Sequence, residues 1–201
     1  MAAFKEYTKY AASYCPKLPG IVFNRAMLSA SREYFTQTQA WKETVLINTA
    51  AESDTYNIPA PVGTDLIDTI DRVTLNNKDL TPLPFEYNNE NAGTPLYFAT
   101  PTKSTMRFYP IPDESAAVTV TLNLKPAFTT TEMPDAIFNE HFEGLLAGCI
   151  AEIKRMPGDW YDPQAASMHR REFEQFIDKK RIELMRGSNN ANVGIQYPSF
   201  T

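Results

Sequence analysis

Apolar positions recur every three to four residues over the first part of the chain and again after residue 134, whereas between these stretches they alternate. Phe4, Tyr7, Ala11 and Tyr14 stand at helical spacing and predict a short helix over residues 4–14, stopped by Pro16. A long helix is expected from about Pro19 to Thr38, with Val22, Ala26, Ala30 and Tyr34 in one stripe that Phe23, Met27 and Phe35 widen. Small residues in mid-stripe let a second helix approach closely. Asn24, Arg25, Arg32 and Glu33 are assigned to its wet face.

From Glu43 the period drops to two. The runs ETVLINTAA, DTYNIPA, TDLIDTIDRVTLNNKDL, TPLYFAT, STMRFYPIP and AAVTVTLNLKPA are short, alternating or β-branched, and bounded by Pro, Gly, Asn and Asp. Asn76-Asn77-Lys78-Asp79 reads as a hairpin turn. Val118, Val120, Leu122 and Leu124 form one apolar face, while Thr119, Thr121 and Asn123 are expected to point the other way. Six such strands suit a small antiparallel sandwich or barrel.

Helix resumes at Met133-Pro134-Asp135, where proline and an acidic first turn suit the positive end of the helix dipole. Ile137, Phe138, Phe142, Leu145, Leu146, Cys149, Ile150 and Ile153 make a broad stripe up to the Pro157-Gly158 break. A last helix is expected from about Pro163 to Arg186, with Ala166, Phe173, Phe176, Ile177 and Leu184 on its apolar side. Arg170, Glu174, Asp178, Lys179 and Arg181 lace the opposite side, and Gly187 caps the end. The segment SNNANVGIQYPSFT that follows has no period.

Helices at both ends with strands between them predict an α+β fold of segregated elements. A helical bundle formed by the N- and C-terminal helices would carry an inserted small antiparallel β domain and an extended C-terminal tail. The expected boundaries are 1–42 and 127–187 for the two parts of the helical domain, 43–126 for the β domain and 188–201 for the arm.

Composition changes this picture little. A chain of 201 residues with 43% hydrophobic and 21% charged content can bury a core, which argues against wholesale disorder. Fifteen prolines against eight glycines indicate many rigid corners. A net charge of −5 opposes a surface built to neutralise phosphates. Two cysteines, Cys15 and Cys149, are too few and too distant in sequence for a disulfide framework or zinc site. Cys149 reads as a small buried thiol. Nothing approaches 18 consecutive apolar residues, so the chain is expected to be cytoplasmically made and soluble, with no membrane partner.

Candidate chemistry is sparse. Glycine spacing excludes the phosphate-binding loops. His141 and His169 lack an evident third ligand, so a satisfied surface or interface role outweighs a metal site. Asp159 and Asp162 in PGDWYDP lack the ligand count of a calcium loop, and an interhelical turn with Trp160 packed on it is the simpler reading. Dipole complementarity and solvation account for Glu132, Asp135, Glu140 and Glu143 without acid–base catalysis. Ser29, Ser31 and Ser167 sit in no nucleophile motif. No catalytic residue, cofactor or metal is therefore expected. In the tail, a frayed end competes with an anchoring role for Val193, Ile195, Tyr197 and Phe200, whose spacing suits an extended peptide laid on a partner.

The ordered combination of CPKLPGIVFNRAMLSASREYF…TQAW, MRFYPIPDESAAVTVTLNLKP and MPDAIFNEHFEGLLAGCIAEIKRMPGDWYDP resembles the head-to-tail adaptor proteins of tailed bacteriophages, the group that includes the podovirus tail-tubular A proteins and related prophage connectors. The resemblance covers residues from Pro16 to about Gly187. It implies a virion structural protein of the phage neck, assembled in the host bacterial cytoplasm as a dodecameric homo-oligomer beneath the portal. Such a ring extends the DNA channel, through which DNA passes without specific binding, and offers a platform for a tail nozzle or tube protein. The C-terminal segment would embrace the portal through Val193, Ile195, Tyr197 and Phe200. The rival readings are another head-completion or nozzle protein, and an enzyme with a cleft in the β module, for which the sequence shows no convergent titratable set.

Overall fold

The computed structural model describes residues 1–59, 65–84 and 91–186. A two-residue strand β1 (Ala2–Ala3) and a 3-10 turn (Phe4–Tyr7) lead into a short helix α1 (Thr8–Ala11) and then α2 (Gly20–Thr38). The strands β2 (Lys42–Asn48), β3 (Thr55–Asn57), β4 (Asp65–Leu75), β5 (Lys78–Asp79) and β6 (Thr81–Pro82) follow. Next come β7 (Tyr97–Thr102), β8 (Thr105–Tyr109), β9 (Ala117–Pro126) and β10 (Glu132–Met133). The long helices α3 (Asp135–Arg155) and α4 (Pro163–Arg186) close the described chain. The fold is α+β, as the segregated periods predict.

Each helix boundary has a local cause. Pro19, in extended conformation, precedes α2, and Gln39 ends it in the left-handed region with its N–H donating to the Phe35 carbonyl. Pro134 precedes α3, whose first-turn Asp135 accepts from the Met1 ammonium at 2.8 Å. The Asp162 carboxylate accepts from the Ala165 N–H at 3.0 Å and so caps α4, with Pro163 at its first position. Between α3 and α4 the Trp160 indole N–H donates to the Pro16 carbonyl at 2.9 Å, tying the interhelical turn to the N-terminal segment.

The strands form a pair β1–β10 and two four-stranded sheets, β2–β9–β4–β5 and β3–β8–β7–β6. Pairing is antiparallel except for β6 with β7, which run parallel. The β4–β5 turn is narrower than the sequence suggests. Asn76 and Asn77 alone bridge the strands, at φ 50° and 62°, the positive angles of a two-residue type I′ turn, and Lys78 and Asp79 already belong to β5. Register shifts between Ile67 and Thr69 and between Ile70 and Arg72 leave Asp68 and Asp71 as bulged residues of β4.

Val118, Val120, Leu122 and Leu124 are all fully buried, as their alternation predicts. They share one apolar cluster with Val73 and Leu75 of the same sheet, Met106 and Phe108 of the other, and Phe23, Phe35, Phe138 and Phe173 of the helices. Asn123 departs from expectation: it is buried, not outward, and its amide donates to the Thr69 hydroxyl at 2.9 Å. The sheet is covered on both faces at that end of β9, and one strand's alternation carries no information about a second cover.

The helix α3 packs against both α2 and α4. A Cβ on Gly148 of α3 would lie 2.7 Å from the Phe173 ring of α4 and 3.0 Å from Ala30 of α2, so three backbones converge there. The wet face assigned to α2 needs correction. The Arg32 guanidinium lies 3.7 Å over the Phe128 ring and donates to the Pro126 carbonyl, and Glu33 accepts from Arg170 of α4 at 2.8 Å. Both are half-buried because β9 and α4 reach across that side.

Candidate interaction surfaces

The residues that could carry chemistry are held apart and occupied. Of the satisfied surface or interface role expected for His141 and His169, the surface alternative is corrected, since both are buried, each with a side-chain partner. His141 Nδ1 lies 3.3 Å from the Tyr34 hydroxyl, and its ring stands against Phe35. Burial holds its pKa below the usual histidine range, against the opposing charge of Glu140. His169 donates through Nδ1 to Glu172 at 2.8 Å and meets Tyr14 edge-on. Among the described residues no group of three or more His, Cys, Asp or Glu could hold a metal ion.

The other candidates have structural partners. Glu140 accepts from Lys180 at 2.6 Å, a bond that lowers the Glu140 pKa. Burial pulls the Lys180 pKa down, but hydrogen bonds to Glu140 and Glu183 outweigh it and leave it raised. Glu143 is exposed, as are Glu132 and Asp159. Ser31 and Ser167 donate back to the carbonyls of Met27 and Pro163 one turn earlier, at 2.7 and 2.9 Å. Cys15 and Cys149 are free and buried, and burial pushes both thiols up, away from the reactive thiolate.

What the structure offers is surface. The end of α4 carries Ile182, Leu184 and Met185 in the open, with Met185 81% exposed. Leu184 is expected on the buried side but is 40% exposed, whereas Ala166, Phe173 and Ile177 upstream on that stripe are covered. This apolar turn runs directly into residues 187–201. Gly187, Val193, Ile195, Tyr197 and Phe200 lie outside the described residues.

Two further features were not singled out by sequence. Leu46, on the outer face of β2, is 64% exposed. A groove of about 630 Å³ runs between β4 and β7, lined in part by Asp68, Asp71, Phe98 and Lys103. The Asp68 carboxylate is buried at its edge, 2.5 Å from Lys125 Nζ and 3.6 Å from Lys103 Nζ. An aspartate interrupting the apolar positions of TDLIDTIDRV was the available signal, since a buried carboxylate inside a strand requires a paired cation. No helix among the described residues is long and apolar enough to cross a membrane.

A family model described as SU10 adaptor protein matches residues 6–194. No curated protein matches the chain.

Proposed function

The chain belongs to the SU10 adaptor protein family, which makes it a phage head-to-tail adaptor with a structural role, and from that premise we propose that its copies form a dodecameric ring beneath the portal. The family match along most of the chain is the observation that carries this reading. In it the ring extends the DNA channel and offers its far side to a tail nozzle or tube protein. The likeness to podovirus tail-tubular A proteins, drawn from motif order, is part of the same proposal.

Charge supports the channel role. The −5 of each copy, multiplied around a ring, would surround the duplex with like charge wherever it lines the channel. Repulsion keeps DNA from adhering during packaging and ejection, the opposite of a phosphate-neutralising design. The helical bundle with its inserted β domain, split at 42/43 and 126/127, would supply the ring body. The arm, 188–201, would reach the portal through Val193, Ile195, Tyr197 and Phe200. A preformed groove on the portal would favour this, because burying a large apolar side chain contributes about 1.5–3 kcal/mol. Many arms engaging one portal ring then add avidity.

The test is attachment to purified DNA-filled heads. The full chain is expected to join them at ring stoichiometry, measured by cryo-electron microscopy of the particles. A variant lacking residues 188–201 is expected to fold but not attach. Wild-type occupancy by that variant would move the docking surface to the helices, and failure of the full chain to join heads would remove the adaptor reading.

A further inference from the structure

One face of α2 is turned away from the core. Ile21, Arg25, Leu28 and Arg32 stand at i, i+4, i+7 and i+11, opposite the buried row of Phe23, Met27, Ala30 and Tyr34. Ile21 is 81% exposed, and Arg25 is exposed. At the far end of this stripe Phe128 stands 76% exposed, with the Arg32 guanidinium 3.7 Å over its ring. The same guanidinium donates to the Pro126 carbonyl. An exposed aromatic clamped in this way is ordered before any partner arrives, and preorganised aromatic and arginine side chains anchor protein interfaces. Neither Arg25 nor Arg32 has a carboxylate partner among the described side chains, whereas Arg72, Arg107, Arg155 and Arg170 each have one. The neighbouring Glu33 is taken by Arg170 of α4.

The complementary charge lies at the other end of β9. There the connections that precede β3 and β9 are knitted together. The Glu52 N–H donates to the Pro112 carbonyl at 3.0 Å, and the Ala116 N–H and Ser115 hydroxyl donate to the Thr49 hydroxyl and carbonyl, both at 2.8 Å. This tip holds Glu52, Asp113 and Glu114 exposed, and none of their carboxylates makes an ion pair among the described residues. Strand β9 runs from the tip, at Ala117, to the α2 stripe, at Pro126. Its ten residues cover about 30 Å at about 3.3 Å each. That is roughly three Debye lengths at about 0.1 M salt, so the free arginines and the free carboxylates of one chain do not neutralise each other.

Resting on the ring reading, we infer that the α2 stripe of one copy receives the acidic tip of the next. Arg25 and Arg32 face Glu52, Asp113 and Glu114, while Ile21 and Phe128 cover the exposed Ala50 and Ala51 beside them. The two surfaces differ and lie far apart on one chain, so the contact is head to tail, the kind that closes into a ring. Charge pairing across it fixes the register and speeds encounter. A second copy suits the stripe better than a duplex does, because phosphates would occupy the cations and leave Ile21 and Phe128 unburied.

The experiment uses the full chain with Ala51→Cys and Thr129→Cys together, one beside the tip and one beside Phe128; both positions are exposed, and the native Cys15 and Cys149 are buried. Mild oxidation, of the concentrated chain alone and of chain assembled on heads, is expected to give a ladder of linked chains. Each single-cysteine chain is expected to stay unlinked. In parallel, Arg25→Glu and Glu114→Arg are each expected to leave Tm unchanged and to lower head occupancy about tenfold, because like charges set face to face oppose association. Combined in one chain, the two reversals are expected to restore occupancy. No ladder in either setting, disulfide dimers from single-cysteine chains, or single reversals with wild-type occupancy would each overturn the inference. So would duplex binding that Arg25→Glu removes and Glu114→Arg does not restore, which gives the stripe to nucleic acid. The ring reading fails separately, when the unaltered chain does not join heads; a ladder from the free chain supports the contact even then.

Discussion

Replacing Gly148 by alanine should destabilise the protein, although local rules alone say the reverse. In a helix interior alanine is favoured over glycine by about 0.8–1 kcal/mol. At Gly148 the added methyl carbon would sit 2.7 Å from two ring atoms of Phe173 and 3.0 Å from the Ala30 methyl. Phe173 and Ala30 are both buried, so neither can swing into solvent. Overpacking of this kind costs about 1–3 kcal/mol, and subtracting the propensity gain leaves a net loss of roughly 1 kcal/mol, between about 0 and 2. In a chain of this size that lowers Tm by about 2–4 °C per kcal/mol. The assay is chemical denaturation and thermal unfolding of wild type, Gly148→Ala, Phe173→Leu and the double variant. Phe173→Leu frees space beside Gly148, so the double variant should lose less than the sum of the singles, a coupling of about 0.5 kcal/mol or more for residues in contact. Stabilisation by Gly148→Ala near 1 kcal/mol, with additive singles, would refute the close convergence of α2, α3 and α4.

Phe138→Ala should cost about 3–5 kcal/mol in denaturant unfolding, since the side chain is fully buried against Phe4 and Tyr7; Phe142→Ala should cost distinctly less, because Phe142 is only half-buried. Stability should fall as pH drops below about 6.5, because the unfolded chain takes up a proton there that the buried His141, with its lowered pKa, does not. The loss is complete only below the folded pKa, and His141→Gln should flatten that part of a Tm-against-pH curve. Elemental analysis of the purified protein should find no stoichiometric zinc or calcium, and chelators should leave Tm unchanged; a metal removed by His141→Ala with His169→Ala would contradict this.

What the sequence determined by itself is what neighbours along the chain decide. Pro163 and the run to Arg186 set the bounds of α4 as expected, Pro19 and Thr38 bracket α2 to within a residue, and the paired asparagines mark the β4–β5 turn. Helical and strand periods, caps and positive φ angles act over four residues or fewer, so they are legible locally. The alternation of Val118 to Leu124 likewise identified one core face of β9 correctly.

Tertiary structure decided everything that depends on a distant partner. β2 finds β9, whose residues are about 75 positions away, and β9 rather than β4 becomes its neighbour in the sheet. Asn123 is buried because a second cover lies over its face, and Arg32 and Glu33 are drawn inward by Phe128 and Arg170. His141 is buried against Tyr34 and Phe35, and His169 beside Tyr14, neither of which its own helix foretells. Leu184 continues the apolar stripe of α4 but is left open where the covering helices end. A side chain's period tells which face it shares with its neighbours. Whether that face meets protein or water is a long-range packing outcome, set by which surfaces bury the most apolar area together while pairing their polar groups.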